Sequence, residues 1–224
     1  MKGRVGTPVS ERGRLGRFAG GVFDYARTAW WGIVAPRTRE ETPLLIAQAV
    51  VLRERGGAVS SGLPAPSEIS ECEVLLSVRS DLFGWELPGG TPEAGESPQS
   101  TVIREVLEET GVEVEIVSHV GDWVRTGFRP HTARVFLCRA VGGELRPSDE
   151  TPRVGWKPAG RPPEALFVWY REPLLAALRS AGQSDLTNSE RAIPVEQHEH
   201  QGPRVIWSAM KTDLVLRWRG LPDQ

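Results

Sequence analysis

The stretch Gly90–Val112, GTPEAGESPQSTVIREVLEETGV, constrains this chain more than any other. A loop of glycine, proline and small polar residues passes directly into a helix whose last turns are acidic. Ser97 is suited to cap the helix, Pro98 to occupy its first position and Gly111 to end it, so a helix is expected over Pro98–Thr110. At about 100° per residue, Glu105, Glu108 and Glu109 stand at i, i+3 and i+4 and share one face. Val102 leans towards that face, while Ile103 and Leu107 fall on the opposite side and are expected to pack into a core. Such a helix is poorly built for stability alone. Its anions crowd the C-terminal end against the macrodipole, and like charges four apart repel by about 0.2–0.5 kcal/mol per pair. Two readings account for it. Either the carboxylates surround a hard divalent cation, Mg²⁺ or Mn²⁺, which takes oxygen ligands, or they form a solvated acidic face with Arg104 as local counter-charge.

The full spacing favours the first reading. Gly90, Glu96, Arg104-Glu105, Val106, Glu108-Glu109, Gly111 and Val112 fit G-x5-E-x7-R-E-U-x-E-E-x-G-U, with U aliphatic. At every defined position the chain resembles the signature of the Nudix hydrolases, the Nudix box. The lead-in Gly84-Trp85-Glu86-Leu87-Pro88-Gly89-Gly90 also resembles the segment that precedes the box. The resemblance implies an α/β (α+β) fold, a mixed β-sheet sandwiched between helices, here with extra N-terminal and C-terminal helical segments. It also implies metal-dependent hydrolysis of a nucleoside diphosphate linked to another group X. In that scheme Glu105, Glu108 and Glu109 are the metal carboxylates, and the backbone carbonyl of Gly89 is a further ligand. Arg104 orients the carboxylates by ion pairing, and Glu96 stands behind them, holding loop to helix. The acid that activates water is Glu108 or Glu109 within the box, or Glu150 outside it, with Glu144 and Asp149 as alternatives.

The rest of the chain bounds these expectations. The net charge of −2 gives no overall basicity to argue for a nucleic-acid partner. No apolar run is long enough to span a membrane. Cys72 and Cys138 have no neighbours at metal-ligand spacing and read as reduced thiols of a cytoplasmic protein. Residues 1–39 carry eight Lys or Arg against Glu11 and Asp24, and Phe18–Val34 has apolar residues at helical spacing. This N-terminal helical extension, residues 1–40, is expected to pack on the domain or a second subunit; the competing readings are peripheral membrane contact through residues 18–35 and a targeting peptide. Gly20-Gly21 weakens it as a free-standing helix.

The hydrolase domain is expected over residues 41–181. Strands are expected at Leu44–Leu52, Glu73–Arg79, Glu113–Val124, Thr132–Val141 and Val154–Lys157, with a long surface loop between the first two. Arg125–His131 is expected to be a loop. Arg79, Arg125, Phe128 and Arg129 are the candidate substrate contacts, through phosphate pairing and base stacking. A second helix is expected over Pro163–Ala181, kinked or split at Pro173. Residues 182–203, including His198 and His200, read as polar linker. Arg204–Arg219 reads as a helix that packs on the N-terminal one or forms a homodimer surface. The group X stays open between a nucleotide sugar such as ADP-ribose, a dinucleoside polyphosphate and a modified nucleoside triphosphate. The alternative is a catalytically silent nucleotide-binding sensor; the box has lost no carboxylate, which favours the hydrolase.

Overall fold

The structure is a computed structural model that describes residues 13–34, 44–56, 72–127, 130–182 and 194–220. Its centre is a mixed eight-stranded sheet. The strands are β1 (Leu44–Glu54), β2 (Cys72–Val78), β3 (Trp85–Glu86), β4 (Gly89–Gly90), β5 (Val112–Gly127), β6 (His131–Gly143), β7 (Arg153–Pro158) and β8 (Val195–Gln201). The order is β3-β2-β1-β6-β5-β8, with β4 paired to β1 and β7 to β2. β1–β6 and β5–β8 are parallel, and the other pairs are antiparallel. β1 is buried on both faces, which explains why it reads as a nearly unbroken aliphatic run rather than as an alternation.

Helices cover both sides. Helix α2 (Pro98–Thr110) lies on one face over Ala47, Ala49, Val51, Phe136 and Cys138. On the other face α3 (Arg171–Ala181), preceded by a 3-10 turn at Val168–Tyr170, sets Leu174, Ala177 and Leu178 against Val50, Leu52, Trp123, Val135 and Leu137. Residues 163–167 are therefore not part of one long helix. Pro173 falls in the first turn of α3, where its missing N–H costs no hydrogen bond, so no kink results.

Helix α1 (Arg14–Val34) lies antiparallel against α4 (Pro203–Arg219). Arg17 donates to the Arg217 carbonyl, and Tyr25 donates to Asp213 at 2.8 Å. Gly21 earns its place here: a Cβ would fall 2.6 Å from the Arg217 side chain. Asp213 and Arg217, fully buried and 2.9 Å apart, hold this helix pair to the turn between β2 and β3. Asp213 accepts the Phe83 N–H at 2.8 Å, and Arg217 Nη2 donates to the Asp81 carbonyl. Both cysteines are buried, and they do not form a disulfide.

Two further expectations, both about strands, need correction. Residues 195–201 are not linker: Val195–Gln201 forms the parallel edge strand beside Gly121–Gly127. The expected loop from Arg125 is mostly strand, since β5 runs to Gly127 and β6 starts at His131. The long connection after β1 lies largely in 57–71, outside the described residues.

Candidate active site

Helix α2 begins and ends where its sequence says. Ser97 Oγ accepts the Ser100 N–H at 3.1 Å, and Gly111 closes the helix at φ 76° with its N–H on the Leu107 carbonyl. Its buried stripe is the reverse of the expected one. Val102 and Val106 are 0 % exposed, whereas Ile103 and Leu107 are 44 % and 41 % exposed. The physical consequence is functional. Glu105 and Glu109 flank the Val102–Val106 stripe, so packing that stripe on the sheet carries both carboxyls down to the strands, while Glu108 stays largely exposed.

The strand β4 receives them. Glu109 Oε2 accepts the Gly89 N–H at 3.0 Å. Glu105 approaches Gly90 so closely that a Cβ there would lie 2.2 Å from Oε1, which explains the glycine. Arg104 holds the outer side. Its Nε and Nη2 form a fork on the two oxygens of Glu96, both at 2.9 Å, and Nη1 reaches Glu105 at 3.0 Å and Glu108 at 3.1 Å. Glu96 also accepts the Glu93 N–H and the Thr101 hydroxyl, so the loop is tied to the helix at this one carboxylate. The Arg104 hydrogen bonds, followed by the backbone bond from Glu93, pull the Glu96 carboxyl down to about 2.

The inner acids behave in the opposite way. Burial pushes Glu109 up to about 7, and the charges of Glu105 and Glu150 push in the same direction. Burial also raises Glu105, which again feels Glu150. Glu86 is nearly fully buried and is pushed up to about 8, first by burial and further by the charge of Glu109, despite Arg79. Its carboxyl accepts the Tyr170 hydroxyl at 3.2 Å and lies 4.0 Å from Arg79 Nε.

Glu150 is tethered into this region from two sides. Its carbonyl accepts the Ser80 N–H at 2.7 Å, and the hydroxyl of the next residue, Thr151, donates to the Glu109 carbonyl. Glu144 instead sits beyond the end of α2, beside Gly111. Arg79 is half-exposed and is held by a two-bond fork on Asp81, both bonds at 2.8 Å.

The carboxyls that gather against Gly89-Gly90 fit a hard divalent cation. Glu105 and Glu109 there are oxygen donors, partly buried, and raised by burial and by neighbouring acids, a donor set that suits a hard divalent cation. Among the described residues no group of three His, Cys, Asp or Glu is already closed around one point. In this arrangement Arg104 holds Glu105 and Glu108, and Gly89 holds Glu109.

The substrate candidates fare unequally. Arg125 is 2 % exposed and is no phosphate grip. Its guanidinium donates to the Trp169 carbonyl at 2.6 Å, pairs with Glu199 at 3.2 Å and meets His131, so it fastens β8 and the 3-10 turn to β5. Phe128 and Arg129 lie outside the described residues. Sequence reasoning left Glu86 without a role of its own. Its signal was a lone acid between Trp85 and Leu87, both buried, just ahead of the glycine pair.

Comparison with known proteins decides the family. The NUDIX domain model matches residues 69–178. A MutT-like protein of Streptomyces ambofaciens is 41 % identical over 109 residues, which cover 48 % of this chain and 70 % of that protein. The chain belongs to the Nudix family. Within it the chain is a Nudix-type pyrophosphohydrolase, and members of the family generally use divalent metals. It is also similar to a putative 8-oxo-dGTP diphosphatase of Bacillus subtilis, at 33 % identity over 43 % of this chain and 63 % of that one. A Nudix hydrolase structure from Nitrosomonas europaea covers 73 % of this chain and 82 % of its own, with a TM-score of 0.53 and 17 % identity, a likeness of fold alone.

Proposed function

We propose that the chain cleaves the diphosphate linkage of a nucleoside diphosphate joined to X, by attack of water on phosphorus, with Mg²⁺ or Mn²⁺ held by Glu105, Glu108, Glu109 and the Gly89 carbonyl. The observation that carries this is the placement of two box carboxylates against the glycine strand, Glu109 on the Gly89 N–H and Glu105 against Gly90, with Glu86 and Glu150 near enough for their charges to act on Glu109. A bound divalent cation supplies neutralisation of the diphosphate and a more acidic water. The chain's own residues do the rest. Arg104 and Glu96 fix the carboxylates' directions from behind. Arg79, half-exposed beside Glu86, offers its guanidinium to the phosphates, with Asp81 setting the fork. Glu150, held between Ser80 and Thr151, takes the proton from the attacking water.

The name of the Bacillus relative supports modified nucleoside triphosphates as the first class to assay, ahead of nucleotide sugars and dinucleoside polyphosphates. The test is product release from a panel of these three classes with Mg²⁺ or Mn²⁺, using wild type and Glu105→Gln. Cleavage of one class that is lost in the variant supports the proposal. Metal-dependent nucleotide binding without cleavage of any class would instead favour a nucleotide sensor.

A further inference from the structure

The α1–α4 helix pair presents a face that the catalytic account does not use. On α4 the residues Arg204, Trp207, Lys211, Val215, Trp218 and Arg219 are all exposed and follow one side of the helix, opposite the buried Ala209, Asp213 and Arg217. On α1, Leu15, Phe18 and Val22 form a second exposed stripe. Phe18 joins the two stripes, edge-on to Trp218 with ring centroids 6.0 Å apart. Between them is an open groove of about 390 Å³ lined by Phe18, Trp207, Leu214 and Trp218, with Lys211 and Arg219 along it.

Charge on this face is segregated. Arg14, Arg204, Lys211 and Arg219 are exposed. The acid among the described side chains of the two helices, Asp213, is buried on the far side and paired with Arg217. The chain as a whole has a net charge of −2, so the cations of this face are not a general property of its surface. A second copy docking by the same face would bring the same cationic rows together without an exposed carboxylate among the described side chains of the two helices to answer them. An anionic lipid surface meets both properties. It takes Trp and Phe side chains at headgroup depth and neutralises Lys and Arg, whose stems lie along the apolar groove.

We infer that the α1–α4 face docks the protein onto an anionic membrane surface. None of the described helices is long and apolar enough to cross. The insertion is through the first turns of α1 and the outer stripe of α4.

The test is co-sedimentation of the full chain with vesicles of phosphatidylcholine alone and of phosphatidylcholine mixed with phosphatidylglycerol. The variants are Lys211→Glu/Arg219→Glu and Trp207→Ser/Trp218→Ser, each checked for an unchanged melting temperature. The expected result is binding to the mixed vesicles only, weakened by salt and reduced by more than about tenfold in the charge-reversal variant. Equal binding by wild type and both variants would overturn the inference, as would binding to neither vesicle. Concentration-dependent dimerisation that either variant abolishes, without lipid binding, would assign the face to a second copy and overturn it too.

Discussion

Glu96 and Glu109 belong to the same short signature, and the fold treats them oppositely. Glu96 meets the Arg104 fork, a backbone N–H and a hydroxyl, and its carboxyl is pulled down to about 2. Glu109 meets one backbone N–H in a buried place shared with other acids, and is pushed up to about 7. The difference teaches how to tell a tie from a site. An acid whose partners all come from the chain holds structure together. An acid left partly buried among acids is, in the function proposed above, a place for a cation.

The contrast can be broken by substitution. The largest effect is expected at Glu109→Gln, where turnover at saturating metal should fall by about 10²–10³-fold, with no loss of melting temperature in metal-free buffer. A variant that lost stability and kept turnover would show that Glu109 is the tie. Glu96→Gln should cost less activity, about 10–100-fold in metal affinity or rate, through misdirected carboxylates. It should also change the acid limb of stability. The Glu96 contribution is present above the ordinary carboxyl value of 4.5 and is lost as pH falls towards about 2, so the variant's melting temperature should decline less steeply in acid. Comparing Val106→Ala with Leu107→Ala tests the packing that brings the inner acids to the sheet. Chemical denaturation should show a cost of about 2 kcal/mol for the first and under about 0.5 kcal/mol for the second.

The smallest effect is in pH. Glu86 is raised from 4.5 to about 8, so its stabilising contribution is complete below 4.5 and is lost as pH rises through about 8. Metal-free wild type should lose stability to urea between about pH 5 and about pH 9, and Glu86→Gln should flatten that slope. An identical slope in both proteins would mean that Glu86 does not carry a raised pKa.

Local chemistry explains what the sequence made legible. The cap at Ser97, the stop at Gly111 and the order of acids all act within a few residues, and the structure repeats them. Partners distant in the chain were not legible. The choice between Val102–Val106 and Ile103–Leu107 as the buried stripe depends on which side the sheet lies, and both pairs are aliphatic. EQHEH reads as linker because an edge strand with one half-exposed and one exposed row carries no apolar alternation; backbone pairing to β5 makes it a strand. Arg125 looks like a phosphate grip until its partners Trp169 and Glu199, far along the chain, enclose it. Asp213 and Arg217 left a trace, opposite charges four apart within an aromatic and aliphatic helix, but the turn at Asp81–Phe83 that they hold is known only from the fold.

The most direct measurement of the central claim is a thermal melt with and without Mn²⁺, on wild type and Glu109→Gln. A metal-induced rise in melting temperature in wild type, absent or strongly reduced in the variant, is the predicted result. An equal rise in both proteins, or none in wild type, would contradict the assignment of the inner carboxylates as the cation site.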